Sequence, residues 1–339
     1  MEKSDQPLLE VRHLTKYFPV GSIFKTRQVH AVEDVSFSVE RGQVVAVVGE
    51  SGSGKSTTIR LIARLMPITH GEILFKGKDV LKTEPNQASM EYRRKVQMIF
   101  QDPFSSLNSV HTIEHHLARP LILHRAARGK KELQDKIYEL LTVVGLNPAE
   151  EFARRFPHQL SGGQRQRVAI ARALAVEPEL IMADEPISML DVSIRIGVLN
   201  LMEQLKEERG IAYVYITHDL ASARYIGDKI MVMYAGHMVE GGDSEEIMGH
   251  PAHPYTQLLL SAVPDPHAGL RTGDEIAARG EVPAMIDPPP GCPFTARCPQ
   301  VMDACRKAMP GISALRPEHW ARCHLVGPGI PDRESPGKN

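Results

Sequence analysis

Apolar and polar positions change rhythm along this 339-residue chain. Up to about residue 50 they alternate, as in VHAVEDVSFSVE (29–40), which predicts half-buried antiparallel strands. QVVAVV (43–48) then runs apolar without a break, the pattern of a strand covered on both faces. LIMA (180–183) and IAYVYIT (211–217) repeat that pattern. Helical spacing fills the intervals, in TIRLIARLM (58–66), KKELQDKIYELLTVVGL (130–146) and QRQRVAIARALAV (164–176). Strands alternating with helices predict an α/β domain on a mainly parallel sheet. From Pro251 onward the periodicity fades. Fifteen of the 25 prolines fall there, with DPPPG at 287–291, so a boundary is expected near residue 250. Beyond it should lie a loop-rich appendage in need of a staple.

Composition narrows the class. A hydrophobic fraction of 42% with 24% charged residues is ordinary for a soluble domain. The net charge of −1 supplies no basic field, so nucleic acid is not the expected main partner. No run of about 18 apolar residues occurs, and MEKSDQPLLE does not read as an export signal. Any membrane association is therefore expected to come through a partner. A reducing compartment makes a disulfide framework unexpected.

GESGSGKST (49–57) fits the phosphate-loop pattern G-x-x-x-x-G-K-[ST], between a buried strand and a helix as that pattern requires. Its glycines let backbone N–H groups converge on phosphate, and the helix N-terminus adds partial positive charge. Lys55 would reach the β/γ-phosphates and the Ser56 hydroxyl would ligate Mg²⁺. LIMADE (180–185) ends a strand with two acids. Strand carboxyl ends face the ligand in open α/β sheets, so Asp184 suits Mg²⁺ and Glu185 suits deprotonating an attacking water. His218 ends the next strand and can contact the γ-phosphate by the same geometry. LSGGQRQR (160–167) opens a second helix with an anion-binding N-terminus. One chain has no use for two such sites on one nucleotide. A head-to-tail pair, each SGGQ capping the ATP held by the other subunit, resolves this.

With these motifs in order, residues 8–250 resemble the nucleotide-binding subunit of an ABC transporter. The resemblance implies a P-loop domain with a mainly parallel sheet, an antiparallel N-terminal β-subdomain and a helical subdomain over about 102–175. Gly49, Ser51, Gly52, Gly54, Lys55, Ser56 and Thr57 resemble the Walker A loop, and Asp184 with Glu185 the Walker B pair. Gln101 in IFQDP resembles the Q-loop glutamine, which contacts Mg²⁺ and the permease interface. Ser161, Gly162, Gly163 and Gln164 resemble the signature, Asp191 the D-loop aspartate and His218 the switch histidine. Phe18, or its neighbour Tyr17, resembles the aromatic that stacks on adenine. Two departures stand out: Met189 where the family usually has a small residue, and Ser109 where related sequences usually show Pro.

HPYTQLLLSAVPDP (253–266) further resembles the extension of oligopeptide and dipeptide importers, and the N-terminal stretch KYFPVGSIFKTRQVHAVEDVSF (16–37) resembles the second of their two ATPase subunits. That implies a paralogous ATP-binding partner, two transmembrane permease subunits, an external substrate-binding protein and a peripheral place on the cytoplasmic face of the inner membrane. Nickel or oligosaccharide import is the alternative cargo. DNA-repair ATPases of this class insert a long coiled coil between the two glycine loops, whereas Lys55 and Ser161 stand 106 positions apart. Ribosome-acting relatives carry two cassettes per chain; this chain has one.

All four cysteines lie in the tail, spaced C-x₅-C-x₆-C-x₁₇-C at Cys292, Cys298, Cys305 and Cys323. The tight knuckles of structural zinc sites are absent. Cys-Pro steps at Cys292 and Cys298 echo ferredoxin-type ligation. Loose spacing suits a [4Fe–4S] cluster, which the importer resemblance also implies; zinc, or four thiols packing a small core, are the alternatives. Either metal would staple the extension over 251–325, leaving 326–339 as a flexible tail.

Overall fold

The computed structural model describes residues 6–22, 25–262 and 282–327; most of the expected tail lies outside these residues. Among the described residues, twelve strands form two sheets. β1 (Leu9–Ser22), β2 (Lys25–Val39), β4 (His70–Phe75) and β5 (Lys78–Asp79) make an antiparallel sheet in the order β2-β1-β4-β5. The larger sheet runs β11-β12-β10-β9-β3-β8-β7-β6. Its strands are β3 (Val44–Val48), β6 (Val96–Ile99), β7 (Leu180–Asp184), β8 (Ala212–Thr217), β9 (Lys229–Tyr234), β10 (His237–Asp243), β11 (Ser313–Arg316) and β12 (His319–Ala321). The block β9-β3-β8-β7-β6 is parallel, and β10, β12 and β11 add to it antiparallel. The fold is the expected one: a mainly parallel sheet with an antiparallel N-terminal β-subdomain.

Burial explains why three of these strands read as unbroken apolar runs. Val44, Ala46 and Val48 of β3 point into one core with the helices Ile113–Leu123, Lys130–Val143 and Gly162–Leu174. Val45 and Val47 point into a second core beneath the antiparallel sheet, with Ile59, Leu61 and Ile62 of the helix Lys55–Ile62. β7 and β8 alternate between the same two cores. Each buried Val or Leu contributes about 1.5–3 kcal/mol relative to exposure. An alternating polar position would therefore cost stability on either face.

The chain past residue 250 does not hang free of this body. β12 pairs with β10 through Glu240↔Ala321, Gly241↔Trp320 and Gly242↔His319, so the last strands widen the main sheet. His319 Nε2 meets Glu240 Oε1 at 2.8 Å with both side chains buried. Phe294, 1% exposed, packs against Tyr234 and Tyr255 in the main core. No local pattern announces strands this short.

Candidate active site

Parallel strand order assembles the site. β8, β7 and β6 are neighbours, and His218, Glu185 and Gln101 follow their carboxyl ends. The three side chains meet. Gln101 Nε2 donates to Glu185 Oε2 at 3.1 Å, and His218 Nδ1 lies 3.1 Å from the same oxygen. Glu185 has φ 45°, in the left-handed region where a side chain is strained, and its N–H donates to the Ile216 carbonyl at 3.0 Å. The strained turn aims the carboxylate out of the strand.

The phosphate loop wraps the start of the helix Lys55–Ile62. Gly54 has φ 103°, and a Cβ there would stand 2.4 Å from the Ala31 carbonyl oxygen. Only glycine fits. Lys55 Nζ donates to the carbonyls of Gly49 and Glu50 at 2.7 and 2.8 Å. Burial pulls its ammonium below the usual lysine range, opposed by Glu185, Asp184 and Glu50. Ser56 Oγ donates to Asp184 Oδ1 at 2.6 Å. Burial pushes the Asp184 carboxyl above its ordinary value, with Ser56 and Arg60 opposing. The Ser56 hydroxyl and a buried carboxylate form a hard-oxygen pair of the kind Mg²⁺ takes.

A cleft of about 950 Å³ opens over the loop. Ser51, Gly52, Gly54, Lys55, Ser56, Thr57, Gln101, Glu185 and His218 line it, as does Glu50. Gly49 lies just behind, with its carbonyl on Lys55. Other predicted residues are placed elsewhere. Tyr17 and Phe18 do not line the cleft: Tyr17 stacks on His30 with 4.0 Å between centroids, and it is His30 that lines the cleft. Ser161, Gly162, Gly163, Gln164 and Asp191 are also absent from its wall. Ser161 caps its own helix by accepting from the Gln164 N–H at 3.3 Å, while Gln164 Oε1 accepts from the Ser161 N–H at 3.0 Å. Asp191 is the N-cap residue of the helix Val192–Arg209, beside exposed Met189 and Val192.

Sequence reasoning missed three contributors from the C-terminal extension: Tyr255, Arg297 and the segment 282–285, the last of which lines the cleft. The four cysteines line a single pocket with His253, Phe294 and His324. None is in a disulfide, and burial pushes the Cys292 thiol up to about 12. Among the described residues, no group of three or more His, Cys, Asp or Glu side chains is placed to hold a metal ion. His111, just before the helix Ile113–Leu123, and His115 in its first turn stack at 4.0 Å between centroids without forming such a group.

A phosphate loop behind a parallel strand, with a carboxylate held at its mouth by a glutamine and a histidine, defines an ATP-hydrolysing P-loop enzyme of the ATP-binding cassette type. Family models describe residues 32–188 as ABC transporter and residues 239–305 as oligopeptide/dipeptide transporter, C-terminal region. The chain is 45% identical to the oligopeptide transport ATP-binding protein AppF of Bacillus subtilis, over 95% of this chain and 98% of that one. It is 45% identical to the dipeptide transport ATP-binding protein DppF of Escherichia coli, over 91% of each. A solved dimeric, post-hydrolysis ATP-binding cassette, MJ0796 with ADP and Pi, matches at TM-score 0.60 and 32% identity, over 70% of this chain and 98% of that one. The chain belongs to the ATP-binding proteins of the ABC transporter family.

Proposed function

We propose that this chain is the ATP-hydrolysing motor subunit of an importer for dipeptides or oligopeptides, with residues 8–250 as the motor body and 251–325 as an extension docked on it. The observation that carries the enzymatic part is the convergence of Gln101 and His218 on Glu185 beside the phosphate loop. Lys55 neutralises the β/γ-phosphates, and Ser56 with Asp184 would hold Mg²⁺, with Gln101 joining them through the ion or a water. Bound there, that ion supplies charge neutralisation for the leaving diphosphate. Glu185 takes the proton from the water that attacks the γ-phosphate, and His218 orients Glu185 and the phosphate. The base and ribose lie toward the wall that holds His30, with Phe18 and Tyr17 behind it.

Ser161 to Gln164 and Asp191 do not line this cleft, which supports their use on a nucleotide held by a second, paralogous subunit. The relatives named for oligopeptide and dipeptide transport support the peptide cargo, with nickel or oligosaccharides as the alternative. No helix among the described residues is long and apolar enough to cross a membrane. Two permease subunits would therefore hold the chain on the cytoplasmic face of the membrane, with an external binding protein delivering cargo. Tagging the chain and extracting it in mild detergent tests this assembly. Two membrane-spanning chains and a second ATPase should co-purify; ribosomal or DNA-bound partners in their place contradict it.

The shared pocket of Cys292, Cys298, Cys305 and Cys323 supports a structural [4Fe–4S] cluster. Zinc held by the same four thiols is the alternative. Anaerobically purified protein should contain iron and sulfide in near-equal amounts. Colourless protein with stoichiometric zinc would refute the cluster.

A further inference from the structure

The extension reaches the phosphate loop at its second residue, Glu50. Arg297 sits on the turn between Cys292 and Cys298, where its own N–H and that of Cys298 donate to the Phe294 carbonyl at 3.0 and 2.9 Å. Its side chain is only 4% exposed, and Nη1 and Nη2 donate to Glu50 Oε2 and Oε1 at 2.6 and 2.8 Å. This two-pronged ion pair holds the arginine guanidinium well above its usual pKa range. The Glu50 N–H donates to Tyr255 Oη at 2.8 Å, and the Glu50 carbonyl accepts from Lys55 Nζ.

Tyr255 is itself fixed. Its N–H donates to His253 Nδ1 at 3.0 Å, the His253 N–H donates to buried Glu240, and its ring packs on Tyr234 and Phe294. The His-Pro-Tyr stretch thus serves as helix cap, first-turn proline and loop anchor in three successive residues.

A second contact lies along β2. The His30 N–H donates to the Met285 carbonyl at 2.8 Å and the Asp287 N–H to the Gln28 carbonyl at 2.9 Å, with Val29 bridging antiparallel to Ile286. Arg27 Nε donates to Asp287 Oδ2 at 2.8 Å. This pairing sets Val282, Pro283, Ala284 and Met285 on the cleft wall beside His30.

We propose that the C-terminal extension completes the nucleotide site: Arg297 and Tyr255 are positioning residues that hold the phosphate loop through Glu50, and residues 282–285 wall the nucleoside. A loop whose N–H groups must converge on phosphate binds best when its shape is already fixed. Glu50 is gripped by both its carboxylate and its N–H, from residues 247 and 205 positions downstream. The inference rests on the nucleotide reading of the cleft.

Calorimetric binding of magnesium-ADP and of inorganic tripolyphosphate to the full chain separates the two contributions. Arg297→Ala and Glu50→Gln should each weaken both probes on the order of tenfold, the scale of a lost charged hydrogen bond. Their combination should be no worse than either alone, because one interaction is lost. Arg297→Lys should recover part of the loss, since it keeps the charge without the fork. Paired Val282→Ala and Met285→Ala changes should weaken ADP severalfold and leave tripolyphosphate unmoved. Should Arg297→Ala fail to fold, Glu50→Gln and the near-isosteric Tyr255→Phe carry the same test. Unchanged affinities in variants that lose only thermal stability would overturn the positioning role. Tighter ADP binding in the wall variant would make that segment an obstruction and overturn the wall. A parent chain that binds neither probe would refute the nucleotide reading itself, a separable outcome.

Discussion

Two glycine-rich loops each open a helix in this molecule, and the fold finishes them differently. The helix Lys55–Ile62 starts at Gly54 with no side-chain cap, so its first N–H groups point at the cleft without a competitor from their own chain. The helix Gly162–Leu174 starts at Ser161 with a full capping box closed by Gln164. Around the first loop stand Asp184, Glu185, Gln101 and His218, and the extension grips it through Glu50. The second is not part of that cleft's wall. On our proposal the first loop binds nucleotide by itself, and the second acts on a phosphate held by another subunit.

Breaking the second loop should therefore separate binding from turnover. Ser161→Arg is expected to lower ATP hydrolysis by the assembled transporter at least about a hundredfold, the scale of losing a positioned transition-state donor. ADP binding by the isolated chain should stay within about twofold, since Ser161 lies off the cleft wall. Matching losses in both measurements would erase the distinction between the loops.

A smaller effect sharpens the contrast from the side of the extension. His253 is pushed down to about 4 by burial, and its Nδ1 accepts from the Tyr255 N–H. An unfolded histidine titrates near about 6.5, so as pH falls the unfolded chain takes the proton first. The contribution of His253 is thus present in full above about 6.5 and is lost toward the folded value, by up to about 1.4 kcal/mol per pH unit. Thermal melts from pH 7 to 5 should fall less steeply in His253→Asn than in the parent. Parallel slopes would exclude the contribution. Least of all should matter the exposed pair Arg224–Glu245, where Arg224→Ala is expected to change stability by less than about 0.5 kcal/mol.

What the sequence disclosed follows the same division. Lys55, Ser56, Asp184, Glu185 and His218 were legible because each sits at a fixed offset from a strand end, and parallel strand order brings such ends together. Gln101 followed from the resemblance, and its strand β6 is short and only partly buried. Arg297 and Tyr255 carry no such signal. Each meets Glu50 across more than 200 positions, and Glu50 occupies a position the phosphate-loop pattern leaves free. On the expected base side, pairing of Tyr17 with His30 in β1 and β2 puts the histidine on the cleft wall. Local periodicity encodes the motor body; long-range pairing encodes what holds its loop.

The account turns on Glu185 as the group that activates water. Its most direct test measures bound ATP and released phosphate in the same sample of the Glu185→Gln chain, in the assembly that supports turnover. ATP occupancy equal to the parent with phosphate release reduced at least about a hundredfold is the predicted result. Phosphate release within a few-fold of the parent at equal occupancy would contradict it.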